Sequence, residues 1–269
     1  MNSSGLYILF GLYLLVAALY LASFLVKRSW LVRLAFSGFI LAFLVNTYFF
    51  VNRWMEREVP PLQTLYETLI FFSWTTALTY ILLELIFRWR FAGAAVAGFS
   101  AALVFRAAVC DRGITPLPPA LKSPYFVPHV VSFFIAYAAL AIAFIASFIY
   151  LIRRYKIERT GAGASITEAP DPYTYKAINL GLPFFTLGLV LGAFWAKEAW
   201  GAYWGWDPKE TWTLITWLIY VIYIHLRRVE GWQGKRACWL SILGFLALLF
   251  TYLGLNLLPT AWTSQHIYL

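Results

Sequence analysis

The sequence predicts an all-α fold: a polytopic bundle of about eight transmembrane helices with both termini extracytoplasmic. Three observations carry this. The 269 residues are 62% hydrophobic and only 12% charged, against about 25% charged in a soluble domain. The mean hydropathy is +0.71, more apolar surface than a soluble chain of this size can hide, so lipid is the solvent. And near-spanning apolar runs recur eight times, each long enough to be a helix rather than a barrel strand.

The expected spans are Gly5–Val26, Leu34–Val51, Thr68–Phe87, Phe91–Val109, His129–Ile152, Ala177–Ala196, Pro208–Leu226 and Ala237–Leu258. The first lacks a basic n-region and a small-residue cleavage site before Lys27, so it reads as a retained helix and not a signal peptide. No polar stretch is long enough for a second domain, so residues 1–269 read as a single membrane domain.

Orientation follows the basic residues. One set of inter-helix segments holds Lys27, Arg28, Arg33, Arg88, Arg90, Arg153, Arg154, Lys156, Arg159, Lys176, Arg227, Arg228, Lys235 and Arg236; the other holds Arg53, Arg57, Arg112, Lys122, Lys197 and Lys209. The richer set is assigned to the cytoplasm. The net charge of +9 is then topological and implies a lipid bilayer, not nucleic acid, as the partner. Arg106, near the outer end of the fourth span, reads as a snorkelling side chain or a carboxylate partner. Glu84 and Arg88 read as an i,i+4 pair. The cytoplasmic segment Arg153–Tyr175, with Gly161-Ala-Gly-Ala-Ser165, Pro170 and Pro172, has linker composition. Cys110 and Cys238 fall at opposite faces and cannot pair, and no Cys-x-x-Cys-His site for covalent haem is present.

The most informative stretch lies between spans six and seven, on the outer side. Five of the 13 tryptophans fall within residues 195–212. Asp207, Pro208 and Glu210 suit the N-cap, N1 and N3 positions of a capping box. A cap plus an interfacial aromatic belt is one reading. The other is a shelf for a large, flat, apolar ligand, because Trp200, Trp204 and Trp206 crowd around Gly201 and Gly205.

Three histidines occur, at 129, 225 and 266. His129 and His266 flank the Trp-rich stretch on the outer side. Each is either an interfacial side chain or, as neutral imidazole, a haem-iron ligand. His225 lies about 25 Å along the seventh helix, near the cytoplasmic end. It either snorkels beside Arg227 and Arg228 or serves a second, inner site.

The run Trp200-Gly-Ala-Tyr-Trp-Gly-Trp-Asp-Pro-Lys-Glu-Thr-Trp212 resembles the tryptophan-rich "WWD" signature of haem-handling proteins. With Leu214-Ile-Thr-Trp-Leu-Ile-Tyr220 after it, it is most similar to the CcsA (ResC) family of system II cytochrome c biogenesis. Pro128-His-Val-Val-Ser-Phe-Phe-Ile-Ala-Tyr-Ala138, Tyr223-Ile-His225-Leu-Arg and Pro61-Leu-Gln-Thr-Leu-Tyr-Glu67 resemble further stretches of that family. At the last histidine the family's Gly-x-His-Ser-aromatic run is replaced by Ser264-Gln-His-Ile-Tyr268.

The resemblance implies a haem-handling subunit that moves haem b outward and presents it to an apocytochrome c bearing Cys-x-x-Cys-His, where two thioether bonds form. It implies His129 and His266 as ligands of the outer haem iron and His225 as a ligand of an inner one. It implies a site in which Trp200, Trp204, Trp206, Asp207 and Trp212 surround the porphyrin. It implies a CcsB-like (ResB) partner, no catalytic side chain, and a place within a membrane cytochrome c synthetase (haem lyase) complex. The membrane would be the bacterial plasma (inner) membrane, or the thylakoid for a plastid-encoded chain. Alternatives are a CcmC-like component of a system I haem exporter, a b-type electron carrier, and a transporter. The carrier needs four facing histidines for two bis-His haems, and the transporter needs ligand pairs in broken midplane helices; neither pattern is present.

Overall fold

Hydrocarbon offers no partner to a backbone N–H or C=O, so a spanning segment must satisfy both internally. The computed structural model describes residues 3–114, 116–160 and 171–257. Among them are eight α-helices and no strand: α1 (Ser3–Val26), α2 (Ser29–Arg57), α3 (Leu65–Phe87), α4 (Gly93–Ala108), α5 (Phe126–Thr160), α6 (Asp171–Trp200), α7 (Pro208–Arg228) and α8 (Lys235–Tyr252). Seven are long and apolar enough to cross a bilayer. The eighth, α7, has 21 residues, about 32 Å at 1.5 Å each. That matches the hydrocarbon core in length, and its threonines and terminal charges lower its apolarity.

Several helices outrun the apolar stretches that announced them. The second apolar run stops at Val51, yet α2 continues to Arg57 because Arg53 and Arg57 find a buried acceptor in Glu67. The fifth stops at Ile152, yet α5 continues to Thr160. There Glu158 meets Arg154 at 2.9 Å and Lys235 at 2.8 Å. The linker anticipated from Arg153 is therefore helical as far as Thr160, and its Gly- and Pro-rich part, 161–170, lies outside the described residues.

The helices group into two compact units, α1–α4 and α5–α8. In the first, Thr64 and Glu67 form a capping box that starts α3. Glu67 also accepts from Arg53 Nε at 3.0 Å and Arg57 Nη1 at 2.6 Å, all three side chains being buried. Arg53 Nη2 reaches the Gly113 carbonyl at 3.0 Å and Gln63 Nε2 the Pro116 carbonyl at 3.3 Å, which ties down the segment after α4. The expected Glu84–Arg88 pair does not form. Glu84 accepts the Tyr20 hydroxyl at 2.7 Å, while Arg88 turns left-handed (φ 56°) to cap α3. Burial rewards the hydroxyl bond, and the cap aims Arg88 elsewhere. Arg106 donates to Cys110 Sγ at 2.8 Å. Both cysteines are free thiols.

In the second unit, α5 and α6 share the most extensive contact. Glycines on α6 permit the approach: a Cβ on Gly181 would stand 3.2 Å from the Ala136 carbonyl, and one on Gly188 would stand 3.0 Å from the Phe133 ring. At the end where α6 begins, Arg227 donates to both carboxylate oxygens of Asp171, at 2.9 and 2.8 Å. It also reaches the Trp232 carbonyl at 3.1 Å. This buried pair fastens the α7–α8 turn to α6.

Candidate functional site

The opposite end of the second unit gathers the start of α5, the end of α6 and the start of α7. His129 sits one residue after Pro128 in the first turn of α5. Its Nδ1 lies 2.8 Å from the Gly188 carbonyl oxygen on α6. A carbonyl only accepts, so Nδ1 carries the ring proton and Nε2 the lone pair. Metal-binding histidines are oriented in this way, through a backbone or carboxylate acceptor on the other nitrogen. Room for the imidazole comes from Gly192, where a Cβ would stand 2.6 Å from His129 Cε1 and 2.7 Å from Nδ1. Phe133 meets the ring edge-on at 4.9 Å and Trp195 lies 5.3 Å away.

Trp195 continues the aromatic patch. It contacts Phe126 at 5.4 Å and Trp200 at 4.8 Å, the latter at 64°. His129, Trp195 and Trp200 therefore form one cluster. Trp204 and Trp206 pair edge to face at 5.8 Å and 83°, and Trp212 packs on Phe250 at 4.4 Å and 61°. The rings within each of these pairs cross steeply, at 64°, 83° and 61°, so the aromatic surface is faceted.

The chain between α6 and α7 is held in a defined path. Gly201 (φ +83°) and Trp206 (φ +56°) both adopt the left-handed region. Glycine takes it freely, but an indole-bearing residue there is strained by about 1–2 kcal/mol. The strain is held by Glu210, whose Oε2 accepts from Gly205 N at 2.8 Å and Asp207 N at 3.1 Å. Asp207 is buried and accepts from Lys209 N at 2.7 Å, completing the capping box legible in the sequence. Lys197 Nζ donates to the Gly201 carbonyl at 2.7 Å, and Ser123 donates to Glu198. The outcome is a fixed loop that leaves Trp206 69% exposed. Trp204 Nε1 is buried with no hydrogen-bond partner among the described residues.

This end brings together an imidazole, several ring faces and an indole N–H with no partner among the described residues. Among the described residues no group of three His, Cys, Asp or Glu side chains gathers to hold a bare metal ion. The arrangement suits an iron that brings its own equatorial ligands in a flat macrocycle, needing only an axial imidazole and apolar walls from the protein.

Of the residues singled out in the sequence, His129, Trp200, Trp204, Trp206, Asp207 and Trp212 all lie at this end. His266 lies outside the described residues. His225 is at the far end of α7, exposed, on the stripe that also exposes Ile215, Leu218 and Ile222. Sequence reasoning passed over Trp195, Gly188, Gly192 and the loop-holding role of Glu210. The four-residue spacing of Gly188 and Gly192, facing a histidine near a helix start, was the available signal for two of them.

Fold and site together define a polytopic helical membrane protein with a histidine–indole cluster at one end of a four-helix unit. Comparison with known proteins narrows this. The family described as Cytochrome C assembly protein matches residues 62–262. The Cytochrome c biogenesis protein CcsA of Cyanophora paradoxa is 33% identical, covering 93% of this chain and 92% of that protein. The CcsA of Synechococcus elongatus is 34% identical, covering 77% and 79%. Among solved structures, the Cytochrome c Heme Lyase CcmF superposes with a TM-score of 0.70 at 19% identity, covering 94% of this chain and 47% of that one; this likeness concerns the fold, over about half of the larger protein. The chain belongs to the CcsA family of cytochrome c biogenesis proteins.

Proposed function

We propose that this chain binds haem at the end of α5–α8 marked by His129 and presents it to an apocytochrome c. Membership of the CcsA family makes it a haem-handling, multi-pass membrane subunit of c-type cytochrome maturation. That membership favours this reading over a system I exporter component, a b-type carrier or a transporter. The observation that carries the site is the Nδ1–Gly188 hydrogen bond, which orients Nε2 as a ligand beside Trp195 and Trp200.

In this reading haem b is the cargo. His129 supplies one axial ligand and His266 the other. Trp200, Trp204, Trp206 and Trp212 wall the porphyrin, and Asp207 with Glu210 fixes the loop that carries them. Trp204 Nε1 donates to an oxygen of the cargo or of the incoming apocytochrome, which relieves its buried, unpaired state. The excess of Lys and Arg in the alternate segments puts this end outside, with both termini extracytoplasmic. His225 then faces the cytoplasmic side, where it receives haem on entry. A CcsB-like subunit supplies the second imidazole there, because no fourth histidine exists in the chain. The membrane is the bacterial plasma membrane or the thylakoid.

The chemistry asks little of this chain as a reactant. Each apocytochrome thiol adds across one haem vinyl group, sulfur to one carbon and hydrogen to the other, with no group left over. The protein binds, orients and excludes water. The test is the absorption spectrum of the protein purified in mild detergent. A low-spin bis-imidazole spectrum is expected, weakened in His129→Ala and His266→Ala and restored by added imidazole. A spectrum that neither substitution changes refutes the ligand assignment.

A further inference from the structure

The α1–α4 unit contains polar groups that haem handling does not use. Asn46 on α2 is fully buried. Its amide donates to Ser73 Oγ at 3.1 Å and to Tyr13 OH at 3.4 Å. Ser73 in turn donates to the Ser100 carbonyl at 3.4 Å. Both amide protons of Asn46 are thus spent, and among the described residues its Oδ1 has no partner; neither has Ser100 Oγ nor Thr76 Oγ1, one turn further along α3. All three residues have no exposed surface. Three such oxygens in the hydrocarbon-depth part of a helix bundle would each bear an uncompensated desolvation cost if left dry. Native interiors rarely tolerate even one.

We infer that the α1–α4 unit binds ordered water at a site formed by Asn46 Oδ1, Ser73 Oγ, Thr76 Oγ1 and Ser100 Oγ, with Tyr13 at its edge. A buried water takes two to four such partners. Water fits better than a metal cation. Every oxygen here is uncharged, while the buried carboxylates of the unit are engaged elsewhere, Glu67 with Arg53 and Arg57 and Glu84 with the Tyr20 hydroxyl. A cation without a carboxylate at this depth would bear its full desolvation cost.

A row of polar side chains continues from the site along α3. Thr76, Tyr80 and Glu84 follow at four-residue intervals on one face, about 6 Å apart, and Tyr20 on α1 meets that row at Glu84. Toward the N-terminal end, buried Leu69 and Ile70 lie between Glu67 and Ser73 along α3. The site is independent of the haem reading, since it involves no residue of α5–α8.

Radiolytic footprinting of the full-length protein in detergent tests this, because a short X-ray pulse generates hydroxyl radicals from bound water in place. Tyr13 and Phe245 are both buried rings, 0% and 1% exposed, but Phe245 is stacked on Phe144 in apolar surroundings. Tyr13 should be modified about fivefold faster or more, with the label drawn from isotopically heavy water after brief mixing. Thr76→Val with Ser100→Ala should bring Tyr13 down to the Phe245 rate. Where that pair does not fold, Ser100→Ala alone carries the test. Equal rates for Tyr13 and Phe245 in the unmodified protein would overturn the site. So would labelling that the substitutions leave unchanged, or labelling that sodium suppresses relative to choline, which would assign the site to a cation.

Discussion

Replacing Gly192 by alanine is a one-carbon perturbation aimed at His129, the ligand proposed above, without touching it. The added Cβ would stand 2.6 Å from His129 Cε1 and 2.7 Å from Nδ1, where ordinary contact begins at 3.4 Å. The imidazole must retreat by about 1 Å, since well-packed interiors transmit such strain instead of absorbing it. It cannot slide freely, because Phe133 and Trp195 bracket it at 4.9 and 5.3 Å. The 2.8 Å bond from Nδ1 to Gly188 is the interaction that gives way. Loss of such an orienting partner lowers metal affinity about 10- to 100-fold, or about 1.4–2.8 kcal/mol. The assay is haem titration of purified protein followed at the Soret band, with helix content and thermal midpoint as fold controls. Gly98→Ala is the matched control, because a Cβ there meets nothing within 4 Å and alanine suits a helix better. Unchanged haem affinity and spectrum in Gly192→Ala would refute the claim that the Gly188 carbonyl and the Gly192 gap orient the ligand.

Three further outcomes follow from the same geometry. Glu210→Ala removes the acceptor of Gly205 N and Asp207 N. It should cost about 1–2 kcal/mol of stability and make the 201–206 loop susceptible to protease, with Glu210→Gln intermediate; unaltered proteolysis would show that the loop is held otherwise. Glu67→Ala removes the buried carboxylate shared by Arg53 and Arg57, leaving Arg53 only Glu56 at 3.6 Å as a charge partner among the described residues, and should destabilise the α1–α4 unit by about 3 kcal/mol, read as a fall in thermal midpoint. Burial pushes the Cys110 thiol up, against the pull of the Arg106 guanidinium. A raised value leaves less thiolate at neutral pH, so maleimide labelling of Cys110 should be slow at pH 7 and accelerate as the pH climbs through the alkaline range. Labelling by an impermeant reagent from the outer face tests the orientation at the same time, and reaction only from the cytoplasmic face would invert it.

The apolar run lengths alone determined that this chain is helical and crosses lipid repeatedly, because hydrocarbon admits few other solutions for the backbone. The local string Asp207-Pro-Lys-Glu210 likewise determined a helix start, since a capping box is made within four consecutive residues. The Trp-rich stretch and His129 were legible as candidates for the same reason: their chemistry is carried by residue type. What the sequence left undecided were the relations between residues distant in the chain. Glu84 had Arg88 four positions on as its local partner and took Tyr20, 64 positions away; helix α5 outran its apolar run once Glu158 met Lys235. The His129 imidazole took one orientation only when α5 and α6 closed to within a hydrogen bond of the Gly188 carbonyl. Periodicity and composition report what each segment can bury. Which acceptor a given donor reaches depends on how the helices settle against one another, and that is set by packing summed over whole faces.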